Sequence, residues 1–247
     1  LVEKVGLEKY LNGVVPHEIG AGAPKNALAV QAVLARTWAL ANSHRFQVDG
    51  YHLCSNTQCQ VYKDPQKVSD RIETAIQSTS GKVLIWKGKP IHAVYHATNG
   101  GVMASANEAW SMKPLPYLRA GLDGSNEWNH QFSLPFKTQD SVKFFLSKKQ
   151  TAYGNDHYLF RWKRIFTADQ LQKKINSLNS LIGSPHSVQV LTRGPSGRVL
   201  ALKITDKNDL SLMLTLDNIR RVLRRLPSTL FIVNKLQDGL WEFSGGG

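Results

Sequence analysis

Acidic side chains are scarce in this sequence. Only 18 Asp and Glu stand against 31 Lys and Arg, which leaves a net charge of +13 over 247 residues. Such a field attracts polyanions in general: nucleic acid, anionic lipid or anionic cell-wall polymer. No zinc-finger spacing, RNA-binding aromatic motif or basic zipper is present, so nucleic acid is disfavoured as a partner. No apolar run approaches 18 residues, so no stretch is expected to span a membrane. Cysteine is nearly absent as well, and Cys54 and Cys59 are the only two. The sequence opens at Leu1 without a methionine or a signal peptide. It therefore reads as a trimmed ectodomain, with any export signal or anchor lying before Leu1. Internal repeats and low-complexity linkers are missing too.

What is present is an ordinary globular composition, long enough for one large domain or two. Pro24 suits the first turn of a helix, where its missing N–H costs nothing. Apolar residues from Ala27 to Leu40 then surround nearly the whole helix, which predicts a buried central scaffold. A second helix is expected over Ser69 to Thr79. Lys82–Trp86 and Ile91–Ala97 flank Lys87-Gly88-Lys89-Pro90 as a hairpin. Loops and a helix near Ser141 to Lys148 fill the middle. Thr167 and Gln170 form a capping signature for a helix through Leu178. Val188–Thr192 and Arg198–Thr205 pair across Gly194–Gly197, and Leu210–Leu216 adds a strand. Asp217 or Asn218 opens a basic helix through Leu226, and strands at Leu230–Val233 and Leu240–Phe243 finish the chain. Helices and strands mix without a βαβ period, so the fold class is α+β, with antiparallel hairpins around the buried Ala-rich helix.

Glu18 is the leading candidate for chemistry. It follows Val14-Val15-Pro16-His17, and desolvation beside an apolar run is one way a carboxylic acid becomes usable near neutral pH. A lone Glu before a helix is more often a solvated charge. Arg36 sits inside the apolar helix and needs an anion nearby. It reads as a substrate-binding or supporting residue, or as a tie between helix and loop. Tyr95, His96, Thr98 and Asn99 lie where a strand enters Gly100-Gly101, and a tyrosine with small polar residues suits sugar hydroxyls. On a regular strand Tyr95 and His96 face opposite ways. Among Trp86, Trp110, Trp128 and Trp162, Trp110 is the best placed to stack on a sugar. Glu108 and Asp123 are fallback second carboxylates. Arg220, Arg221, Arg224 and Arg225 share one side of the basic helix, as a solvated face or a dock for anionic polymer or membrane.

Five blocks carry a resemblance: LNGVVPHEIG, LAVQAVLARTWAL, YHLCSNTQCQVY, KPIHAVYHATNGG and LPYLRA. In that order they resemble the sporulation stage II protein D family, also called the LytB or amidase-enhancer family. The likeness is strongest over Leu11 to Asp123. It continues in RGPSGRVLALKI, DNIRRVLRRLPSTLFIV and WEFSGGG. It implies an extracytoplasmic protein acting on peptidoglycan. Enzymatic members are lytic transglycosylases that cut glycan strands, preferably strands lacking stem peptides; others enhance cell-wall amidases. Glu18 matches the family's key acid, and no cofactor is required. Some members bind zinc with a His beside the second cysteine. Here Gln58 stands there, so a structural zinc would need His52 with Cys54 and Cys59. The alternatives are a Cys54–Cys59 disulfide or two free thiols, since cysteine spacing does not settle pairing. Ala97 and Thr98 stand where members more often carry serines. Residues 1–125 are expected to form the family core and 126–247 a second part of the same unit. Gly245-Gly246-Gly247 looks like the start of a longer Gly-rich segment. The expected partners are peptidoglycan glycan strands, a cell-wall amidase, and anionic wall polymer or membrane surface.

Overall fold

The computed structural model describes residues 2–65, 68–178, 181–224, 226–237 and 239–247. The chain divides into two compact units, Leu1–Ala97 and Thr98–Gly247. The sequence placed the division near residue 125. It falls earlier because residues 98–124 pack with the C-terminal half of the chain. The buried Trp128 indole donates to the Gly101 carbonyl (3.0 Å). A Cβ on Gly124 would lie 2.5 Å from the same ring.

The first unit is helical. Helix α1 spans Leu7–Val15, runs straight into a π-helical turn at Pro16–Gly20, and is followed by α2 (Lys25–Ala41) and α3 (Asp70–Gln77). Apolar residues of α1 recur on one stripe, and Leu11, Val14 and Val15 are fully buried. They pack on Leu28, Ala32 and Ala35 of α2 and on Ile72, Ala75 and Ile76 of α3. Pro24 heads α2, and at its other end the Asn42 amide donates back to the Trp38 carbonyl (2.9 Å). The expectation that α2 is buried all round is corrected. Val30 and Leu40 are 58% and 42% exposed, because α1 and α3 cover only part of its circumference.

The expected hairpin shrinks to β1 (Ile85–Trp86) and β2 (Lys89–Pro90). Past Ile91, whose N–H still donates across to Leu84 O (3.1 Å), the chain leaves the ladder: Ala93 N–H donates to Ile91 O and Val94 N–H to His92 O, both at 2.9 Å. Tyr95 and His96 are therefore not on a regular strand, and the alternation argument does not apply to them.

Arg36 is 1% exposed. Its Nε and Nη2 donate to the two carboxylate oxygens of Glu8 on α1, both at 2.7 Å, and Nη1 donates to Lys82 O at 3.0 Å. The guanidinium ties α1, α2 and the β1 approach together. The Arg36 bond holds the Glu8 carboxyl below its ordinary value of about 4.5, with burial opposing. A group whose folded value is depressed stabilises the fold above the unfolded value, and that contribution is lost as pH falls through the folded one. The melting temperature should therefore drop as pH falls below about 4.5, toward the depressed Glu8 value. In Glu8→Gln that acid limb should be shallower. Superimposable melting curves against pH would remove Glu8 from the account.

The second unit carries two three-stranded antiparallel sheets. One orders β5 (Trp162–Thr167), β10 (Leu240–Gly245) and β9 (Phe231–Gln237); the other orders β6 (Pro185–Arg193), β7 (Val199–Asp206) and β8 (Ser211–Thr215). A short pair, β3 (Val102–Met103) with β4 (Gly121–Leu122), precedes them. Helices α4 (Ala106–Ala109), α5 (Asn126–Gln131), α6 (Gln139–Leu146), α7 (Ala168–Ile175) and α8 (Asn218–Val222) complete the unit. The Thr167–Gln170 capping box closes as read from the sequence, with both bonds at 3.2 Å. Two aromatic-rich cores form, one around Phe166, Trp241 and Phe243 and one around Trp128, Phe136 and Phe145. The architecture is α+β.

Candidate functional site

The site assembles within the first unit, on the π-helical turn that continues α1. A π turn inserts an extra residue into the helical ladder and redirects side chains, and such turns recur at functional positions. Glu18 lies in it, half-buried. The Val61 N–H donates to Glu18 Oε1 at 2.6 Å. The Tyr95 hydroxyl forms a second hydrogen bond to the Glu18 carboxylate.

Gln60 sets the direction of that second bond. Its side chain is 1% exposed. Gln60 Oε1 accepts from the Tyr10 hydroxyl (3.1 Å), and Nε2 donates to the Tyr95 oxygen (3.0 Å) and to Ala35 O (3.4 Å). The Tyr95 oxygen already receives a proton from Gln60, so its own proton is left to point at Glu18. Burial first, then the Glu18 charge, pushes both tyrosine hydroxyls well above their ordinary value. Both stay protonated donors throughout the neutral range. The result is a relay of fixed direction, from Tyr10 to Gln60 to Tyr95 to Glu18.

Gly13 allows the strap at residues 60–63 to lie this close. Lys63 N–H donates to Gly13 O at 3.2 Å. A Cβ on Gly13 would meet Lys63 O and the Tyr62 ring, each at 2.4 Å. Tyr62 stacks on Tyr10, centroids 5.2 Å apart, and its hydroxyl donates to Glu3 at 2.9 Å. Burial and that bond push the Tyr62 hydroxyl up to about 12. Just before the strap, Cys54 and Cys59 are joined in a disulfide with Cα atoms 5.7 Å apart. Both sulfurs are spent in that bond, so His52, Cys54 and Cys59 do not form a zinc ligand set here; His52 stands exposed nearby. Among the described residues no group of three or more His, Cys, Asp or Glu is placed to hold a metal.

Several other sequence candidates are engaged in contacts of their own. Arg36, expected near substrate, is buried with its fork on Glu8 and cannot reach a ligand without breaking that pair. His96 is exposed at the end of the first unit. Thr98 and Asn99 belong to the second unit. The Thr98 hydroxyl accepts from Gly100 N–H (3.3 Å). The Asn99 amide donates to Asp123 (2.6 Å) and accepts from Gly101 N–H (2.8 Å). Asn99 is 6% exposed, and with its amide so engaged it builds the glycine turn rather than offering itself to a sugar. Glu108 is buried and accepts from Ser105 N–H and Oγ and from Ser196 N–H and Oγ, all within 2.8 Å. Neither fallback carboxylate is free. Trp128 and Trp162 are core residues, whereas Trp86 and Trp110 are 46% and 43% exposed.

Sequence reasoning missed Gln60, Tyr10 and the Val61 amide. Gln60 lay inside a block already singled out, but nothing local marks a glutamine whose partners are 25 to 50 residues away.

These features define a small helical unit presenting one oriented carboxylate. A family model described as Stage II sporulation protein matches residues 1–86, and one described as Domain of unknown function (DUF8618) matches residues 104–247. The first match covers Gly13, Glu18 and Gln60 but ends before Tyr95. An uncharacterized protein of Brachyspira hyodysenteriae (strain ATCC 49526 / WA1) is 27% identical over 97% of this chain and 56% of its own length. The Amidase enhancer of Bacillus subtilis (strain 168) is 36% identical over 46% of this chain and 15% of its own. The Stage II sporulation protein D of the same organism is 26% identical over 81% and 56%. The chain thus spans little more than half of these relatives at most. Its first 86 residues match the Stage II sporulation protein family, with stage II protein D and the amidase enhancer among the relatives, and residues 104–247 carry the domain of unknown function.

Proposed function

We propose that this chain is a peptidoglycan lytic transglycosylase with Glu18 as acid and then base. The observation that supports it most is the half-buried Glu18 carboxylate, oriented by the Val61 N–H and the Tyr95 hydroxyl. Most glycosidases need two carboxylates. A transglycosylase of this kind needs one. Glu18 gives its proton to the glycosidic oxygen as the bond to C1 breaks. The same carboxylate then takes the proton of the sugar's own 6-hydroxyl while that oxygen closes onto C1. The products are a 1,6-anhydro end and a free hydroxyl end, and no water is consumed. Val61 and Tyr95 hold the carboxylate in one orientation through both transfers. Arg36 supports α1 and so the turn that carries Glu18.

The test is incubation with purified glycan strands lacking stem peptides, followed by mass analysis. Anhydro-ended fragments support the enzyme. The likeness to an amidase enhancer favours a second reading, a glycan-binding activator of a cell-wall amidase. Intact strands together with stimulation of an added amidase would support it. Either role places the protein outside the cytoplasm. Among the described residues no helix is long and apolar enough to cross a membrane.

Docking to the wall falls to the basic helix in this reading. Arg220, Arg221 and Arg224 are exposed around α8, and Arg221 also pairs with Asp217 (2.8 Å). Arg225, grouped with them from the sequence, lies outside the described residues. Sacculus binding should weaken with salt, since the Debye length is about 8 Å at physiological ionic strength. Reversing Arg221 and Arg224 to Glu should weaken sacculus binding at low salt and leave cleavage of short soluble glycans unchanged. Unchanged sacculus binding at low salt would leave the helix as a solvated face.

A further inference from the structure

The chain's two cysteines form a cross-link at the head of the strap that orients Glu18. Cys54 and Cys59 are five residues apart and bonded. Gln60 and Val61 follow Cys59 directly. Gln60 aims the Tyr95 proton at Glu18, and the Val61 N–H meets Glu18 Oε1 at 2.6 Å. The far end of the strap is held by Lys63 N–H on Gly13 O (3.2 Å). The disulfide holds the near end, supported by hydrogen bonds from Cys59 N–H to Asn56 O and from Tyr62 N–H to Ser55 O, both at 3.0 Å.

A bond that closes so short a loop restricts the unfolded chain little, because the loop-entropy gain grows with length. Its leverage is local: it fixes where the chain enters residues 60 and 61. The bond is also open to attack. Both cysteines are partly exposed, and Ser55, Asn56, Thr57 and Gln58 between them are exposed. Exposed disulfides are the labile ones. The two sulfurs are not equivalent. The Cys54 backbone N–H donates to Cys59 Sγ (3.1 Å). A donor there stabilises negative charge on Cys59, and the better-stabilised thiolate leaves faster.

We propose that the Cys54–Cys59 disulfide is a redox latch on Glu18, opened by a dithiol that attacks Cys54. The dithiol's first thiolate bonds to Cys54 Sγ, the S–S bond breaks, and Cys59 leaves as a thiolate held by the Cys54 N–H. The second thiol then attacks the mixed disulfide and expels Cys54. The dithiol ends as a disulfide. Two electrons pass to the protein, and the two protons given up by the dithiol are matched by one on each cysteine. With the latch open, hydrogen bonds alone hold the near end of the strap. Val61 then leaves Glu18 more often, and the carboxylate loses its fixed orientation. Cysteine pairs stay reduced in the cytosol, so Glu18 is set only in an oxidising compartment. The consequence for cleavage rests on the transglycosylase reading above; the release of the strap does not.

The experiment is hydrogen exchange on the full chain before and after dithiothreitol, with release of anhydro products measured on the same samples. Reduction should speed exchange at the Val61 amide by about tenfold or more and leave the Leu28 and Ala32 amides of α2 unchanged. Cleavage should fall by about 10- to 10²-fold, the scale of a misplacement of about 1 Å. Glutathione disulfide should restore both. Cys54→Ser combined with Cys59→Ser should match the reduced protein and ignore dithiothreitol. If that double variant fails to fold, the reversible chemistry on wild type decides alone. Brief exposure to glutathione, quenched with acid and mapped by mass, should place the adduct on Cys54; an adduct on Cys59 overturns the direction of attack. Equal protection of Val61 in the oxidised and reduced proteins overturns the latch. So does a loss of protection that spreads to Leu28 and Ala32, which would make the bond a staple of the whole unit. Val61 released on reduction, with no anhydro products from either form, would sink only the catalytic reading. Anhydro products at one rate from both forms, with Val61 protected in both, would sink only the latch.

Discussion

Glu18→Gln is expected to abolish strand cleavage while leaving the fold and sacculus binding intact. The amide keeps the shape of the carboxylate. Its oxygen can still accept the Val61 N–H that now lies 2.6 Å from Glu18. Its NH₂ would then face the Tyr95 hydroxyl. That oxygen already accepts from Gln60 and has a second lone pair to offer, so only the Tyr95 proton is left without an acceptor. The structural cost is therefore small. The chemical cost is not, because an amide neither gives nor takes the proton in either half of the reaction. Loss of general acid–base help typically costs about 10²- to 10⁴-fold in rate. Anhydro products counted by mass, alongside a melting curve, make the measurement. Near-normal turnover by a folded variant would end the assignment of Glu18.

Gly13→Ala should damage both stability and the site, and through the same atoms. Its Cβ would be placed 2.4 Å from the Lys63 carbonyl and 2.4 Å from the Tyr62 ring. The ring can shift, but the carbonyl belongs to the backbone of the strap. Residues 60–63 must lift off α1, and the Val61 N–H leaves Glu18 with them. Forcing extra volume into a packed contact costs about 1–3 kcal/mol. Cleavage should fall further than the loss of folded protein explains, because the surviving molecules carry a misplaced Glu18. Hydrogen exchange at the Val61 amide reports this directly and should speed up. Gly6→Ala is the control, since nothing lies within 4 Å of its Cβ position. If Gly13→Ala melts like wild type and keeps the Val61 amide protected, the close approach is not needed.

The parts legible in the sequence were short-range. Pro24 and the alanines after it marked α2, and Thr167 with Gln170 marked the start of α7, because a cap is written in residues three apart. Gly194–Gly197 marked the β6–β7 connection, where Gly197 adopts φ +84°. The ordered blocks around Glu18 marked the family. Hydrophobic spacing and turn chemistry also sufficed for the α+β class, since both act within a few residues.

Tertiary structure alone decided the partners of polar groups. Arg36 advertised a need for an anion, but no local pattern could choose Glu8, 28 residues away, over a substrate. Asn99 and Glu108 looked available in the sequence. Asn99 is consumed by the glycine turn and Asp123, and Glu108 by Ser105 and by Ser196, 88 residues on. Gln60 looked incidental and proved to aim the Tyr95 proton. Buried polar groups must be paired, and the sequence states that requirement without naming the pairs. The names come from which segments the apolar cores bring together, and that choice is made by the packing of the whole unit rather than by any window of residues.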